Sequence, residues 1–218
     1  MLVHAGFCSR SQARELVARN RVELRGSALF VDGVDADWQE HYWIMLNKPR
    51  GVVCSTDDPL SGTVLNLLDV RYRRMGLFPV GRLDKDSTGL VLLTEDGAAA
   101  HRITSPKNHC EKRYFVRVEG AIGRREVDAF AAGMELADKK VMKTAQLEVC
   151  EDASCCYVTL TEGKYHQIKR MFGVLGLPVV ELTRMSIGGI KLDQNLPEGG
   201  WRRLTEGEIR DFCGNCTG

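Results

Sequence analysis

Short apolar runs separated by turn-forming residues are the feature of this 218-residue chain that most limits its fold. Runs of this length, bounded by glycine, proline, asparagine and aspartate, are typical of β-strands. They predict strands at 43–46, 52–54, 77–80, 90–94, 114–118, 145–149 and 157–160. Apolar spacing and capping residues predict helices at 124–134, 166–175 and 206–212. Because these elements do not alternate as regular βαβ units, the sequence predicts an α+β fold with a mixed or antiparallel sheet.

Residues 1–40 are predicted to form a small domain of their own. Ser9 and Gln12 have the spacing of a capping box, which begins a helix that ends near residue 20. A short hairpin with glycine-containing turns follows this helix. A polar, acidic stretch then precedes the larger domain, which is expected over residues 41–218.

Basic residues are concentrated near the N-terminus, although the whole chain carries a formal net charge of only +1. The first 26 residues contain five arginines and two acidic residues. Arg10 and Arg14 share one helix face and Arg21 follows the helix end, so these three side chains are candidates for binding an RNA backbone. On charge alone, a solvated helix face explains them equally well.

Composition and motifs exclude several classes of protein. No apolar run approaches the roughly 18 residues of a membrane span, and no secretory signal is evident, so a cytoplasmic protein is expected. One C-x-x-C pair, Cys213 and Cys216, lacks the second pair that a zinc ribbon needs, and is interpreted as part of a frayed terminus. The chain also lacks a Walker loop, a dinucleotide-binding glycine motif and HExxH. We therefore expect neither a metal nor a cofactor.

A nine-residue polar loop lies between two apolar strands in the segment 77–93. By composition alone its aspartates, Asp84 and Asp86, are ordinary turn residues. Loops mounted on a rigid sheet are nevertheless where catalytic side chains are often found. The segment by itself leaves both interpretations open.

Two further segments place basic and aromatic residues where a binding site is possible. Lys164, Lys169 and Arg170 add positive charge where a strand is expected to meet a helix, a junction suited to phosphate. Ordinary basic surface residues are the competing explanation. Lys112 and Tyr114 are two residues apart in a strand and so share one side. A tyrosine in that position more often serves packing than catalysis.

Taken together, these segments resemble the ribosomal small subunit pseudouridine synthase A family. The matching motifs, in chain order, are LNKP (46–49), CSTDDP (54–59), GRLD (81–84), TGL (88–90), HRITSP (101–106), KxY (112–114) and GKYHQIKRM (163–171). The resemblance spans essentially the whole chain. It implies a pseudouridine synthase fold and an enzyme that isomerises a specific uridine of 16S ribosomal RNA, uridine 516 by the same resemblance, without a metal or cofactor.

The resemblance also implies roles for individual residues. Asp84 corresponds to the nucleophile that attacks ribose C1′, and Lys169 to the cation that keeps this carboxylate ionised. Tyr114 is expected against the uracil ring, with Ile168 as an apolar contact. Arg82 is expected to fill the space that the extruded uridine leaves. The other substrate-binding candidates, all basic, are Lys48, Arg50, Lys112, Lys164 and Arg170.

The N-terminal region resembles the small RNA-binding module called the S4 domain, through GFCSR (6–10) and NRVEL (20–24). The sequence begins where the first helix of that module would end, so part of the module is expected to be missing from it. Ribosomal RNA is the expected partner, bound by a monomer. Two alternatives stay open, namely a synthase acting on 23S rRNA or tRNA, and a non-catalytic RNA-binding ribosome-assembly factor.

Overall fold

A computed structural model describes the backbone of residues 1–215 and the side chains of residues 1–212. The strands are β1 (Val22–Arg25), β2 (Ala28–Val31), β3 (Val34–Asp35), β4 (Trp43–Lys48), β5 (Phe78–Val80), β6 (Thr88–Thr94), β7 (Lys112–Val118), β8 (Met134–Glu135), β9 (Val141–Met142), β10 (Gln146–Val149), β11 (Cys155–Leu160), β12 (Val179–Ile187), β13 (Ile190–Lys191) and β14 (Trp201–Arg203). The α-helices are α1 (Arg10–Ala18), α2 (Val70–Arg73), α3 (Gly97–Thr104), α4 (Arg124–Ala132), α5 (Gln167–Val174) and α6 (Glu206–Asn215). Short 3-10 turns occur at Val64–Leu67 and Pro106–Asn108.

The N-terminal unit consists of α1 and the antiparallel sheet β1-β2-β3. The predicted capping box begins α1, because the Gln12 backbone N–H donates to Ser9 Oγ at 3.4 Å and the Ser9 N–H donates to Gln12 Oε1 at 2.9 Å. The predicted helix and hairpin are confirmed. Arg71 of the larger unit donates hydrogen bonds to the carbonyls of Ala5 and Ala36, which fix the small unit in place. We propose the domain boundary near residue 40.

The larger sheet has the strand order β10-β11-β7-β12-β6-β4-β14, with β13 beside β12 and β5 beside β6. The pairing of β12 with β6 is parallel and the other strand pairings described in this sheet are antiparallel, so the predicted α+β fold with a mixed sheet is confirmed. None of the helices described within residues 1–215 is long and apolar enough to cross a membrane.

Strand β6 is buried on both faces, which explains its continuous apolar sequence. Val91 and Leu93 pack into the cluster beneath α5, and Leu90 and Leu92 pack into the cluster beneath α3 and α6. Helix α5 covers the first face with Ile168 and other apolar side chains. The loop that precedes β6 is therefore anchored to the most buried strand of the sheet.

The structure differs from the sequence prediction in two strands. The expected strand at 52–54 is only an isolated bridge between Val53 and Thr63, and the Cys54 sulfur instead accepts a hydrogen bond from the Leu83 N–H. The long strand β12 was not predicted, because Glu181, Thr183 and other polar residues interrupt its apolar alternation.

Substitution of Gly89 tests how closely β6 must approach β12 for the protein to be stable. Its φ is +98°, and a Cβ at this position would overlap the carbonyl of Arg184 and lie 2.8 Å from the Arg184 nitrogen. Gly89→Ala should therefore lower the free energy of unfolding in urea by more than Gly51→Ala does. Gly51 also has a positive φ, +83°, but has open space around it, so alanine there should cost only about 1–2 kcal/mol of backbone strain. Equal losses in the two variants would show that the strands separate easily.

Candidate active site

Asp84 lies in the loop between β5 and β6, which includes residues 81–87. The loop is closed by a hydrogen bond from the Ser87 N–H to the Asp84 carbonyl at 3.1 Å. The N–H of Gly51 donates to the carbonyl of Lys85 at 2.8 Å, and Leu83 is buried in the core. The residues directly before and after Asp84 are thus fixed, Leu83 by packing and Lys85 by a hydrogen bond.

Lys48, at the end of β4, supports this loop from beneath. Its side chain is fully buried, and Nζ donates to the carbonyls of Pro49 at 2.9 Å, Lys85 at 3.3 Å and Ser87 at 2.7 Å. Burial lowers the pKa of Lys48, whereas nearby Asp84 and Asp86 act in the opposite direction. The ammonium group therefore serves as a structural donor to the loop.

Arg184, on β12, is a second buried cation beneath the same loop. Only 1% of the residue is exposed, Nε donates to the carbonyl of Leu90 at 2.7 Å, and Nη1 lies 3.3 Å from the carbonyl of Arg82. The strand register aligns Arg184 with Gly89 on one side and with Tyr114 on the other.

One row of residues therefore runs across four strands of the sheet. It consists of Tyr114 on β7, Arg184 on β12, Gly89 on β6 and Lys48 on β4. Residues paired directly across strands point to the same face. The tyrosine and the two cations thus lie on one face of the sheet, with the glycine between the cations.

The first turn of α5 brings two further groups to Asp84. Lys169 Nζ lies 3.2 Å from Asp84 Oδ2 and 2.6 Å from Asp86 Oδ1, and the hydrogen bond to Lys169 holds the pKa of Asp86 below its ordinary value. His166 Nε2 lies 3.1 Å from Asp84 Oδ1. His166 has a left-handed backbone, with φ of +49°, and its ring stacks on Tyr165 at a centroid distance of 3.8 Å. A strained residue in contact with a carboxylate is typical of functional sites.

A pocket of about 80 Å³ opens at the Asp84 carboxylate. Tyr114, of which 8% is exposed, and Ile168 line it beside Arg82. Ser87 also lines the pocket, and its hydroxyl group is buried without a hydrogen-bond partner among the described residues. A small pocket whose walls combine apolar side chains with polar and charged groups suits a small planar ligand such as a nucleic-acid base.

Comparison with known proteins identifies the family. Residues 41–173 match the sequence model of the family described as RNA pseudouridylate synthase. This chain belongs to that family. The synthase is thus an isomerase that acts on RNA.

Curated relatives and a solved structure support the assignment. Ribosomal small subunit pseudouridine synthase A of Escherichia coli K12 is 51% identical over 209 residues, covering 94% of this chain and 85% of its own. The protein of the same name from Haemophilus influenzae is 42% identical and covers 92% of each chain. A structure described as the crystal structure of pseudouridylate synthase is 38% identical, with a TM-score of 0.75, covering 97% of this chain and 96% of that one. The resemblance to the synthase A family is confirmed.

The structure brings the five central candidates of the synthase to one place. Asp84, Tyr114, Arg82 and Ile168 line the same pocket, and Lys169 contacts the Asp84 carboxylate. Their segments are far apart in sequence and meet because β5, β6, β7 and α5 converge on one end of the sheet. Their catalytic and binding roles stay proposals.

The basic candidates are placed less uniformly. The full burial of Lys48 argues against the expected contact with RNA, since its ammonium is occupied by three carbonyls. Arg170 Nη2 lies 2.6 Å from Asp138 Oδ1, and this hydrogen bond lowers the pKa of Asp138 to about 2. The positive charge of Arg170 is therefore largely balanced within the chain. Arg50 is exposed and donates to the Val180 carbonyl.

The remaining basic candidates lie in two regions. Lys112 and Lys164 line a second pocket next to the first one. In the small unit, Arg10 and Arg14 are exposed, whereas Arg21 forms a two-pronged ion pair with Asp32. Arg21 is therefore less free to bind phosphate than the sequence suggested. The side chains of Cys213 and Cys216 lie outside the described residues, so the expectation for that pair stays a prediction.

Three polar residues near the pocket were missed as site residues by sequence reasoning, namely Arg184, His166 and Ser87. His166 lies inside the GKYHQIKRM motif, and its place directly before a helix of buried apolar residues was an available signal. Ser87 resembled a turn residue of the polar loop. Little in the sequence indicated that Arg184 belongs to the site. Its strand was not predicted, and without the strand an arginine is expected at the surface.

Removal of the Lys48 ammonium tests its structural role. Lys48→Met should lower the free energy of unfolding by about 1–3 kcal/mol or more, because buried loop carbonyls lose a charged donor. Lys85→Met is the matched control, since the Lys85 side chain is exposed and donates only to Ser61 Oγ at 2.9 Å. It should change stability by no more than about 0.5 kcal/mol. Similar denaturation curves for both variants would contradict the support role of Lys48.

Proposed function

We propose that this synthase isomerises a specific uridine of small-subunit ribosomal RNA to pseudouridine, with Asp84 as the nucleophile. The observation that carries the proposal is the Asp84 carboxylate, held between Lys169 and His166 at the mouth of a pocket lined by Tyr114 and Ile168. The relatives named ribosomal small subunit pseudouridine synthase A favour the substrate class, and the earlier motif resemblance suggests uridine 516.

The positive charge around Asp84 suits a nucleophilic carboxylate. Its side chain is 27% exposed, and its Oδ2 lies 3.2 Å from Lys169 Nζ, so the two opposite charges attract each other directly. Asp86 shares the same lysine but is 69% exposed and does not line the pocket. Both loop carboxylates contact Lys169, but only Asp84 also lines the pocket.

The proposed reaction exchanges one glycosidic bond for another. An oxygen of Asp84 bonds to ribose C1′ while the bond from C1′ to uracil N1 breaks, which leaves its electron pair on the base. The detached uracil rotates within the pocket, and C5 then attacks C1′ and releases the carboxylate. A proton finally leaves C5 and one is taken up at N1, so the product is an isomer of the substrate.

Tyr114 and Ile168 are proposed to hold the uracil ring during this rotation. Both are almost fully buried, and their positions are fixed by β7 and by the first turn of α5. Walls of this kind keep the free base close to C1′ so that reattachment is intramolecular. Ser87 lines the same pocket and has a buried hydroxyl group without a hydrogen-bond partner among the described residues.

The target uridine must leave the RNA stack before it can reach Asp84. Extrusion of a nucleotide costs a few kcal/mol. Arg82 is exposed at the rim of the pocket, two residues before Asp84, and is proposed to enter the vacated space. The exposed Arg10 and Arg14 of the S4-like unit, together with Arg50, are proposed to bind the RNA backbone in a salt-dependent manner.

Replacement of the proposed nucleophile is the direct test. Asp84→Asn should abolish pseudouridine formation on an rRNA fragment and leave the Kd for that RNA nearly unchanged. Asp86→Asn is the control, because an exposed ion pair contributes about 1 kcal/mol or less, which corresponds to a rate change of at most about fivefold. Product formation by Asp84→Asn at a near-normal rate would refute the nucleophile assignment.

The substrate is tested in cells. Pseudouridines are mapped in total RNA from cells with and without the gene for this chain, and from cells carrying Asp84→Asn. We expect one small-subunit rRNA position to lose its pseudouridine in the deletion and in the variant. Loss of a pseudouridine from 23S rRNA or tRNA instead would show that this RNA is the substrate. No loss at any site would favour a non-catalytic assembly factor.

A further inference from the structure

A second pocket, of about 370 Å³, lies next to the Asp84 pocket. The two pockets share Arg82, Tyr114, Gly163 and Lys164, so a ligand that fills one reaches the edge of the other. The second pocket is called the basic pocket here because most of its charged lining residues are cationic. These cationic residues are Arg82, Lys112, Lys143, Lys164 and Arg184.

Glu162 is the acidic residue in the lining of the basic pocket, and its charge is already satisfied. Its Oε2 lies 3.2 Å from Lys164 Nζ, and its Oε1 accepts hydrogen bonds from the Lys143 N–H and from the Gln167 amide. Glu162 and Lys164 therefore cancel, and the other cations give the pocket a net positive charge.

Arg184 is the strongest indication that an anion belongs in this pocket. Its guanidinium is fully buried and forms no ion pair with any carboxylate of the described chain. Two nitrogens donate to the Leu90 and Arg82 carbonyls, but Nη2 is buried without any hydrogen-bond partner among the described residues. A buried charge that lacks a counter-charge and leaves one N–H donor group without an acceptor is costly. A negatively charged ligand in the pocket would offset part of that cost through charge attraction.

Lys143 supplies a second cation at the rim of the basic pocket. It is exposed, and its ammonium group forms no hydrogen bond or ion pair with the residues that the structure describes. An arginine in the wall and an unpaired lysine at the rim are the arrangement expected for a phosphate group, which accepts several hydrogen bonds at once.

We propose that the basic pocket binds one phosphodiester group of the substrate RNA, adjacent to the uridine held at Asp84. The inference rests on the proposed function and adds the position of a neighbouring phosphate. With uracil between Asp84 and Tyr114, the RNA backbone passes Arg82 and places its next phosphate among Lys143, Lys112 and Arg184. The pocket would distinguish a uridine within an RNA strand from a free nucleoside, which has no such phosphate.

The test combines one protein substitution with single neutral linkages in the RNA. The probe is a set of rRNA fragments, each with one methylphosphonate linkage at a different position around the modified uridine. Binding and turnover are measured for the wild-type chain, for Lys143→Gln and for the control Lys191→Gln. Lys191 is an exposed lysine on β13 that does not line the basic pocket.

One linkage should respond differently from the others. Neutralising it should weaken binding to the wild-type chain and to Lys191→Gln, but should cause a smaller loss in Lys143→Gln, because the contact with Lys143 is already absent there. Lys143→Gln should also lower the slope of log K against log salt by about 0.7–0.9, the value for one phosphate contact. The slope should stay nearly constant in Lys191→Gln.

Two outcomes would overturn the inference. A uniform response at all linkages, or equal effects of Lys143→Gln and Lys191→Gln, would show only general attraction between a basic surface and RNA. Failure of the proposed function would look different, because the unmodified fragment would then not be converted by the wild-type chain at all. If the wild-type chain converts that fragment but no neutral linkage shows a different effect in Lys143→Gln, the phosphate site in the basic pocket is rejected and the proposed function stands.

Discussion

Hydrogen bonds from two buried cations to the backbone carbonyls of the Asp84 loop are the interaction on which the site depends. Lys48 and Arg184 come from the strands on either side of β6 and both align with Gly89. Charged donors form stronger hydrogen bonds than neutral ones, particularly where water is excluded. They hold the loop by its main chain, so the Asp84 side chain remains available for its contacts with His166 and Lys169. Gly89 is required between them because a side chain there would overlap β12.

The same cations set the electrostatics of the site. Burying an ammonium and a guanidinium is unfavourable, and the opposing effect of Asp84 and Asp86 on the Lys48 pKa shows that the loop carboxylates offset part of this cost. Lys169 then adds a third positive charge, 3.2 Å from the Asp84 carboxylate. The carboxylate thus lies between charges that are in place before any RNA binds, and this kind of fixed arrangement needs little reorganisation during a reaction.

Sequence reasoning predicted the features that depend on local pattern. The continuous apolar run of β6, the polar loop before it and the buried face of α5 all follow from residue spacing. The contact between Asp84 and Lys169 was expected from the family resemblance, and the structure places these groups 3.2 Å apart. The burial of Lys48 and the position of Arg184 could not be predicted in this way. Both depend on the register of strands that are distant in sequence, and local periodicity carries no information about register.

The parallel pairing of β6 with β12 also has a consequence for how the protein is made. The row that supports the loop runs from Lys48 to Arg184, so it joins parts of the chain that are separated by most of its length. Contacts of such high sequence separation form slowly during folding, because a long loop must close before they become favourable. During synthesis, Asp84 leaves the ribosome about a hundred residues before Arg184 does. A nascent chain therefore carries Asp84 well before it has Arg184, so the Asp84 loop gains its full set of supporting hydrogen bonds only after β12 has been synthesised.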